Sequence, residues 1–102
     1  MSFSVVWEFT VPEGNRDAFE RAYSSAGPWV DLFKEAEGFL GTWLLRDKEH
    51  RGKYLSHDRW TSREAYNEFK RVFAERYDLL DDELGGLATM EVYVGSYDEI
   101  DV

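Results

Sequence analysis

The amino-acid sequence predicts an α+β fold, a ferredoxin-like βαββαβ chain whose four strands form one antiparallel sheet with the helices on one face. Three observations carry this prediction. Apolar residues occupy every second position from Phe3 to Val11, the period of a half-buried strand. The polar, Gly-containing segment DKEHRGK at 47–53 separates two β-like runs and predicts a hairpin. Each half of the chain also holds a stretch whose apolar residues recur at helical spacing. No low-complexity linker interrupts residues 1–102, so they read as a single domain, and the only repeat is architectural: two β-α-β halves.

In the first strand Phe3, Val5, Trp7, Phe9 and Val11 alternate with Ser4, Glu8 and Thr10, and Pro12-Glu13-Gly14 stops it. From about Asn15, the expected N-cap, Ala18, Phe19, Ala22 and Tyr23 fall on one helical face. Ser-Ser-Ala-Gly-Pro breaks that helix, and Trp29, Val30, Leu32 and Phe33 predict a further short helical piece before Gly38. The second strand is expected over Phe39 to Arg46 and the third over Tyr54 to Trp60. Thr61, with Glu64 three residues on, matches a capping box. Ala65, Phe69, Val72, Phe73, Tyr77 and Leu80 then keep one helical face apolar, while Arg71 and Glu75 stand at pairing distance on the other. Gly85-Gly86 ends the helix. The last strand is expected from about Leu87 to Tyr97, and the acidic tail at about 98–102 is expected to fray.

Composition narrows the function classes. Twelve basic residues against twenty-one acidic give a net charge of −9, which opposes phosphate backbones and anionic membrane surfaces. Neither nucleic acid nor membrane is an expected partner. The absence of cysteine removes disulfides, thiolate nucleophiles and Cys-based metal sites, and two isolated histidines add no metal cluster. The opening MSFSVVWEFTVPEG lacks the basic and long apolar regions of a signal peptide. The longest apolar run, FLGTWLL, falls far short of the roughly 20 residues a bilayer span needs. A soluble, cytoplasmic protein is expected.

With the first and third strands side by side at the centre, the face turned away from the helices would carry Val6, Glu8 and Thr10 with Leu55, His57 and Arg59. Met90, Val92 and Val94 of the last strand would lie beside them. A wholly solvated face would not carry so many apolar side chains, so the sheet is expected to pack against a second copy of itself as a homodimer. Glu8, His57 and Arg59 are the expected polar contacts of that interface, because buried charges must be paired. His50, in the polar turn, is expected to be solvated.

Three segments, VVWEFTVPEG at 5–14, EGFLGTWLLRD at 37–47 and YLSHDRWTSREAY at 54–66, resemble the antibiotic biosynthesis monooxygenase domain family, whose members are dimeric α/β barrels. The resemblance runs from about Val5 to Tyr97. It implies that Trp60 and its even-numbered neighbours face the helices, where the family's pocket lies. Strand alternation then divides the polar cluster SHDR, sending Tyr54, Ser56, Asp58 and Trp60 to one side and Leu55, His57 and Arg59 to the other. Adjacent Ser, His and Asp on a strand do not converge, which argues against a Ser-His-Asp hydrolase.

By the same resemblance Trp60 is the residue singled out, with Ser56 where cofactor-free members commonly carry Asn and Tyr66 at the matching position of the following helix. The implied activity is a cofactor-independent monooxygenase acting on a phenol, anthrone or quinol-like aromatic. Trp60 and Tyr66 would hydrogen-bond the substrate's anion while it reacts with dioxygen. Asp58 is the candidate general base, its pKa raised by burial. Trp7, Ser56, Trp29, Phe69 and Phe73 are the substrate-binding candidates, with Trp7 expected beside Trp60. The plainer reading of Trp7, Trp43, Phe69 and Phe73 is core, and the alternative function is a non-catalytic barrel that binds a hydrophobic small molecule. Ser56 departs from the family pattern and no Arg is clearly matched at the pocket rim, since the neighbours of Arg76 face solvent. The haem-degrading branch uses an Asn on the first strand, a Trp at the end of the third and a His on the following helix. Here Trp7 takes the Asn position and 62–84 contains no His, so no haem, other cofactor or metal is expected.

Overall fold

The computed structural model describes residues 2–100. Strands β1 (Phe3–Thr10), β2 (Phe39–Arg46), β3 (Lys53–Trp60) and β4 (Met90–Asp98) form one antiparallel sheet in the order β2-β3-β1-β4. This is the ferredoxin-like arrangement the alternation predicts, with the first and third strands central. Helical segments α1 (Arg16–Tyr23), α2 (Pro28–Phe33), α3 (Arg63–Val72) and α4 (Ala74–Leu84) connect them, with 3₁₀ turns at Glu13–Asn15 and Gly85–Leu87. The core lies between the sheet's inner face and the helices. Phe3, Val5, Phe9, Tyr54 and Trp60 meet Phe19, Tyr23, Trp29, Leu32, Phe33 and Phe69 there. Trp60 and Phe19 have no accessible surface, and burying side chains of this size contributes roughly 1.5–3 kcal/mol each.

Local chemistry departs from the sequence expectation at several points. Asn15 precedes α1 without a capping side-chain bond; its Nδ2 donates instead to the Leu87 carbonyl at 3.1 Å, tying the start of α1 to the approach to β4. Ser62, not Thr61, caps α3, its hydroxyl accepting from the Ala65 N–H at 3.0 Å. The Thr61 N–H donates to the Gly38 carbonyl at 2.7 Å. Gly38 has φ +90°, and a Cβ there would stand 2.7 Å from that of Ala65, so only glycine closes this turn. The expected single helix is broken at Phe73 (φ −103°, ψ 16°) into α3 and α4. The Phe73 N–H still reaches the Phe69 carbonyl at 2.9 Å, so the break leaves that donor satisfied. Arg71 pairs with Glu68 rather than Glu75.

On β4 the register shifts between Val6 and Trp7. Gly95 opposes Val6 and Tyr93 opposes Trp7, which leaves Val94 as the extra residue of a bulge. Met90 and Val92 oppose Thr10 and Glu8, and Val94, exposed like Val92, has no direct partner on β1. The 3₁₀ turn at Gly85–Leu87 delays the strand to Met90. Glu99, placed by the sequence in a fraying tail, is held: its N–H donates to the Ser2 carbonyl at 2.8 Å and its carboxylate pairs with Arg59 at 2.5 Å. Asp101 and Val102 lie outside the described residues.

The outer face carries Val6, Leu55, His57 and Arg59 as expected, and also Trp43 opposite His57 and Leu45 opposite Leu55. Trp43 is 46% exposed, so it does not belong to the core. It lies against the ring of His57 and beneath the guanidinium of Arg59, 5.8 Å from its centroid. Glu8, His57 and Arg59 do not pair with one another within the chain. Glu8 faces Lys53 at 3.8 Å, His57 Nε2 bonds the Ser4 hydroxyl at 2.8 Å, and Arg59 takes Glu99. His50 is exposed and stands 3.3 Å from Asp47.

Candidate active site

The inner face of the sheet bounds a half-open cavity of about 40 Å³, with Glu91 exposed at its edge. Trp7 and Phe9 reach it from β1, Thr42 from β2, Ser56 and Asp58 from β3, and Glu91 from β4; Tyr23, Trp29, Phe33 and Tyr77 close it from the helices. The strand pairing explains the polar side: Thr42 lies opposite Asp58, and Trp7 opposite Ser56. Cross-strand partners share a face, so these side chains converge.

Asp58 is the chemical centre of the cavity. The Thr42 hydroxyl donates to its Oδ1 at 2.6 Å, and it has no cationic partner. Burial disfavours the charged carboxylate more than the Thr42 bond favours it, and pushes the pKa from 3.8 up to about 6. The neighbouring phenols shift the same way. Tyr23 and Tyr66 are each pushed up to about 12, mainly by burial, and Tyr66 also by the charge of Asp58. Burial likewise raises Tyr77, and burial followed by the charge of Asp81 raises Glu91. At neutral pH the site thus holds a carboxylate more basic than usual beside phenols that keep their protons. The indole N–H groups of Trp29 and Trp60 are buried without a hydrogen-bond partner. Each is a donor only, and an unmade bond of this kind costs about 1–3 kcal/mol.

Of the residues singled out in the sequence, Asp58, Ser56, Trp7 and Trp29 line the cavity. Trp60 and Tyr66 stand in the adjoining aromatic layer with rings 5.5 Å apart, and Trp60 packs against Phe33, Phe39 and Phe69. Trp7 is not beside Trp60. Its ring meets Tyr93 at 5.3 Å, because Phe3 rather than Trp7 opposes Trp60 in the register. Phe69 and Phe73 stack on each other and line a separate open groove with Gly38, Thr61 and Ala65. Arg76 is exposed, paired with Glu35 and lying over Phe73. Sequence reasoning missed Thr42, Tyr77 and Glu91. Thr42 was within reach, since the hairpin register that aligns Arg46 with Tyr54 also aligns Thr42 with Asp58. Glu91 was within reach too, since placing Met90 and Val92 on the outer face turns Glu91 inward, opposite Phe9. Among the described residues no three His, Cys, Asp or Glu side chains gather in a metal-binding arrangement, and no helix is long and apolar enough to cross a membrane.

The family model described as antibiotic biosynthesis monooxygenase matches residues 2–85. The chain belongs to that family. Among solved structures, a variant of SnoaB, a cofactor-independent oxygenase from Streptomyces nogalater, superposes with a TM-score of 0.75 at 20% identity, covering 99% of this chain and 95% of its own. A Bordetella bronchiseptica protein carrying the same family name reaches a TM-score of 0.78 at 19% identity, covering 97% of each chain. A conserved protein from Methanosarcina mazei reaches 0.72 at 14% identity, covering 98% of this chain and 94% of its own. At these identities the likeness to solved structures is one of fold. No curated protein matches the chain. What distinguishes this member of the antibiotic biosynthesis monooxygenase family is therefore read from its own cavity.

Proposed function

We propose that the protein is a monooxygenase that oxidises a small activated aromatic, a phenol, anthrone or quinol, with dioxygen and without a bound cofactor. The observation that carries this is Asp58: a partly buried carboxylate with its pKa raised to about 6, facing a cavity lined by aromatic rings and hydrogen-bonded by Thr42. Such a group accepts a proton from a substrate O–H or acidic C–H near neutral pH, where an ordinary Asp is a much weaker base. The substrate anion left behind is electron-rich enough to react with dioxygen. Converting an activated ring C–H or methylene to a carbonyl uses both oxygen atoms, one entering the carbon and one leaving as water. The carbon supplies all four electrons, so no outside reductant is required. Hydrogen-bond donors that hold the developing oxyanion are the protein's remaining contribution. The unpaired N–H groups of Trp29 and Trp60 and the protonated Tyr66 are the residues proposed for it.

The volume of about 40 Å³ favours a second reading, a barrel that binds but does not turn over. Holding one water takes about 10–15 Å³ of such a cavity, so this one holds a few waters and a polycyclic substrate enters only if Trp7, Trp29 or Tyr77 moves aside. A homodimer through the outer sheet face belongs to the same proposal. Trp43, Leu45, Met90 and Val92 are exposed there, at 46%, 51%, 60% and 43%, in a row that a second copy would cover. Oxygen uptake by the purified protein, offered anthrones, naphthols and hydroquinones with no added flavin, haem or metal, tests the oxygenase. Protein-dependent consumption supports it. Quenching of Trp fluorescence without consumption supports the binding barrel instead.

A further inference from the structure

The two formally charged side chains lining the cavity are both carboxylates, Asp58 and Glu91; no Lys, Arg or His lines it. The charges that reach its walls have the same sign. Burial is the main cause that raises Tyr23, Tyr77 and Glu91, and carboxylate charges add to it, Glu91 and Asp81 on Tyr23, Asp81, Glu91 and Asp58 on Tyr77, and Asp81 on Glu91, with no cation lowering any of them. Arg76 of α4 is paired with Glu35, Arg71 of α3 with Glu68 and Arg46 of β2 with Glu20, none of them lining the cavity. Around these carboxylates stand the rings of Trp7, Tyr23, Trp29 and Tyr77. Aromatic faces and carboxylates together attract a cation and repel an anion. The Trp29 indole N–H on a wall of the same cavity stands next to the Tyr23 phenol, whose pKa it lowers, without forming a well-aligned bond to it.

We propose that the cavity selects an aromatic substrate that carries its own positive charge, a protonated amine or quaternary ammonium on a phenol-like ring, over neutral and anionic aromatics. The proposal rests on the reading of this cavity as the substrate site, and it resolves a difficulty in that reading. When Asp58 takes a proton from the substrate, an anion forms beside Glu91 and Asp81, and the protein offers no cation to balance it. An ammonium on the substrate supplies that charge within the same molecule, so the deprotonated species is a zwitterion. The same ammonium keeps Asp58 ionised until the proton moves.

Three probes of nearly one shape separate charge from size: phenyltrimethylammonium, its neutral isostere tert-butylbenzene, and benzenesulfonate. Binding is followed at pH 8 by quenching of tryptophan fluorescence. The cation is expected to bind at least ten-fold more tightly than tert-butylbenzene, with the sulfonate weakest. Glu91→Gln and Asp58→Asn should each reduce the cation's advantage several-fold while leaving tert-butylbenzene within two-fold. Glu37→Gln, an exposed change outside this cavity, controls for the chain's overall negative charge and should leave the ratio alone. Equal or tighter binding of the neutral isostere, tighter binding of the sulfonate, a ratio equally sensitive to Glu37→Gln, or binding of none of the three would overturn the proposal. Oxygen uptake is read separately. Cation preference without uptake leaves this inference standing and removes the oxygenase reading. Faster uptake with a naphthol than with its ammonium-bearing analogue does the reverse.

Discussion

Asp58→Asn should make the protein more stable and less able to take a proton. The native carboxyl has a pKa of about 6 against an ordinary 3.8. Because the folded value is the higher one, the native state holds the proton more tightly, and stability is lost as pH rises through this window. Above about pH 6 the loss is complete. Two pH units at about 1.4 kcal/mol each amount to about 3 kcal/mol at neutral pH. Asn has no charge to desolvate, and its amide oxygen can still accept from Thr42, so the variant escapes this cost. The assay is urea denaturation of both proteins from pH 4 to pH 8. The stability gap should be small near pH 4 and widen to about 2–3 kcal/mol at pH 8, a rise in melting temperature of about 4–8 °C for each kcal/mol in a domain this size. Glu91 also titrates in the acid range, but it is common to both proteins and cancels in the difference. A gap that stays constant with pH would refute the reasoning, since it would mean that the Asp58 carboxylate is solvated or paired in the native state.

Three further outcomes follow from the same geometry. Thr42→Val removes the one hydrogen bond that favours the charged form of Asp58. The acid limb of any pH-rate profile should therefore move to higher pH, while a limb that stays in place would detach Thr42 from the base. Trp60→Phe deletes an indole N–H that has no partner, so relief of that cost offsets the lost packing and stability should change by no more than about 1–2 kcal/mol; oxygen uptake should fall about 100-fold or more if the N–H serves a developing oxyanion, and normal uptake would remove Trp60 from the mechanism. Arg59→Ala releases Glu99 and uncovers Trp43; sedimentation should show weaker self-association, and an unchanged oligomer would set aside the outer-face interface.

The sheet was legible because period-two alternation is a local signal and its consequences are global. Once Phe3 to Val11 and Tyr54 to Trp60 are strands, their central position and the two faces of β3 follow. The misplaced details are those decided by competition between near-equal local options. Thr61 and Ser62 are both good caps, and because α3 begins at Arg63 it is the Ser62 hydroxyl that stands at the capping position and accepts from the Ala65 N–H. Arg71 could reach Glu68 or Glu75, and the break at Phe73 turns Glu75 away. The site was half legible for a different reason. Its β3 members were fixed by alternation, whereas Tyr77 depends on how α4 is re-aimed after Phe73. Trp43 was misjudged because an aromatic on an edge strand reads as core, and only the register with His57 puts it outside.

The two faces of β3 handle polar groups in opposite ways, and the contrast argues for where the chemistry lies. On the outer side His57 meets Ser4, Arg59 meets Glu99 and Lys53 meets Glu8. On the inner side Asp58 has one hydrogen bond and no cation, and the indoles of Trp29 and Trp60 have no partner. A core selected for stability alone would reverse this, since an unpaired buried group is costly and an exposed ion pair contributes little. Apolar residues at these inner positions would remove the cost altogether. The contrast is local to the Asp58 end of the strand, since Tyr54 on the same inner face donates to Glu20 at 2.5 Å, and it is the physical ground for the proposal that the chemistry lies at Asp58. Of these groups Asp58 is the one that lines the cavity with a need a bound molecule can meet, a proton or a positive charge for its carboxylate.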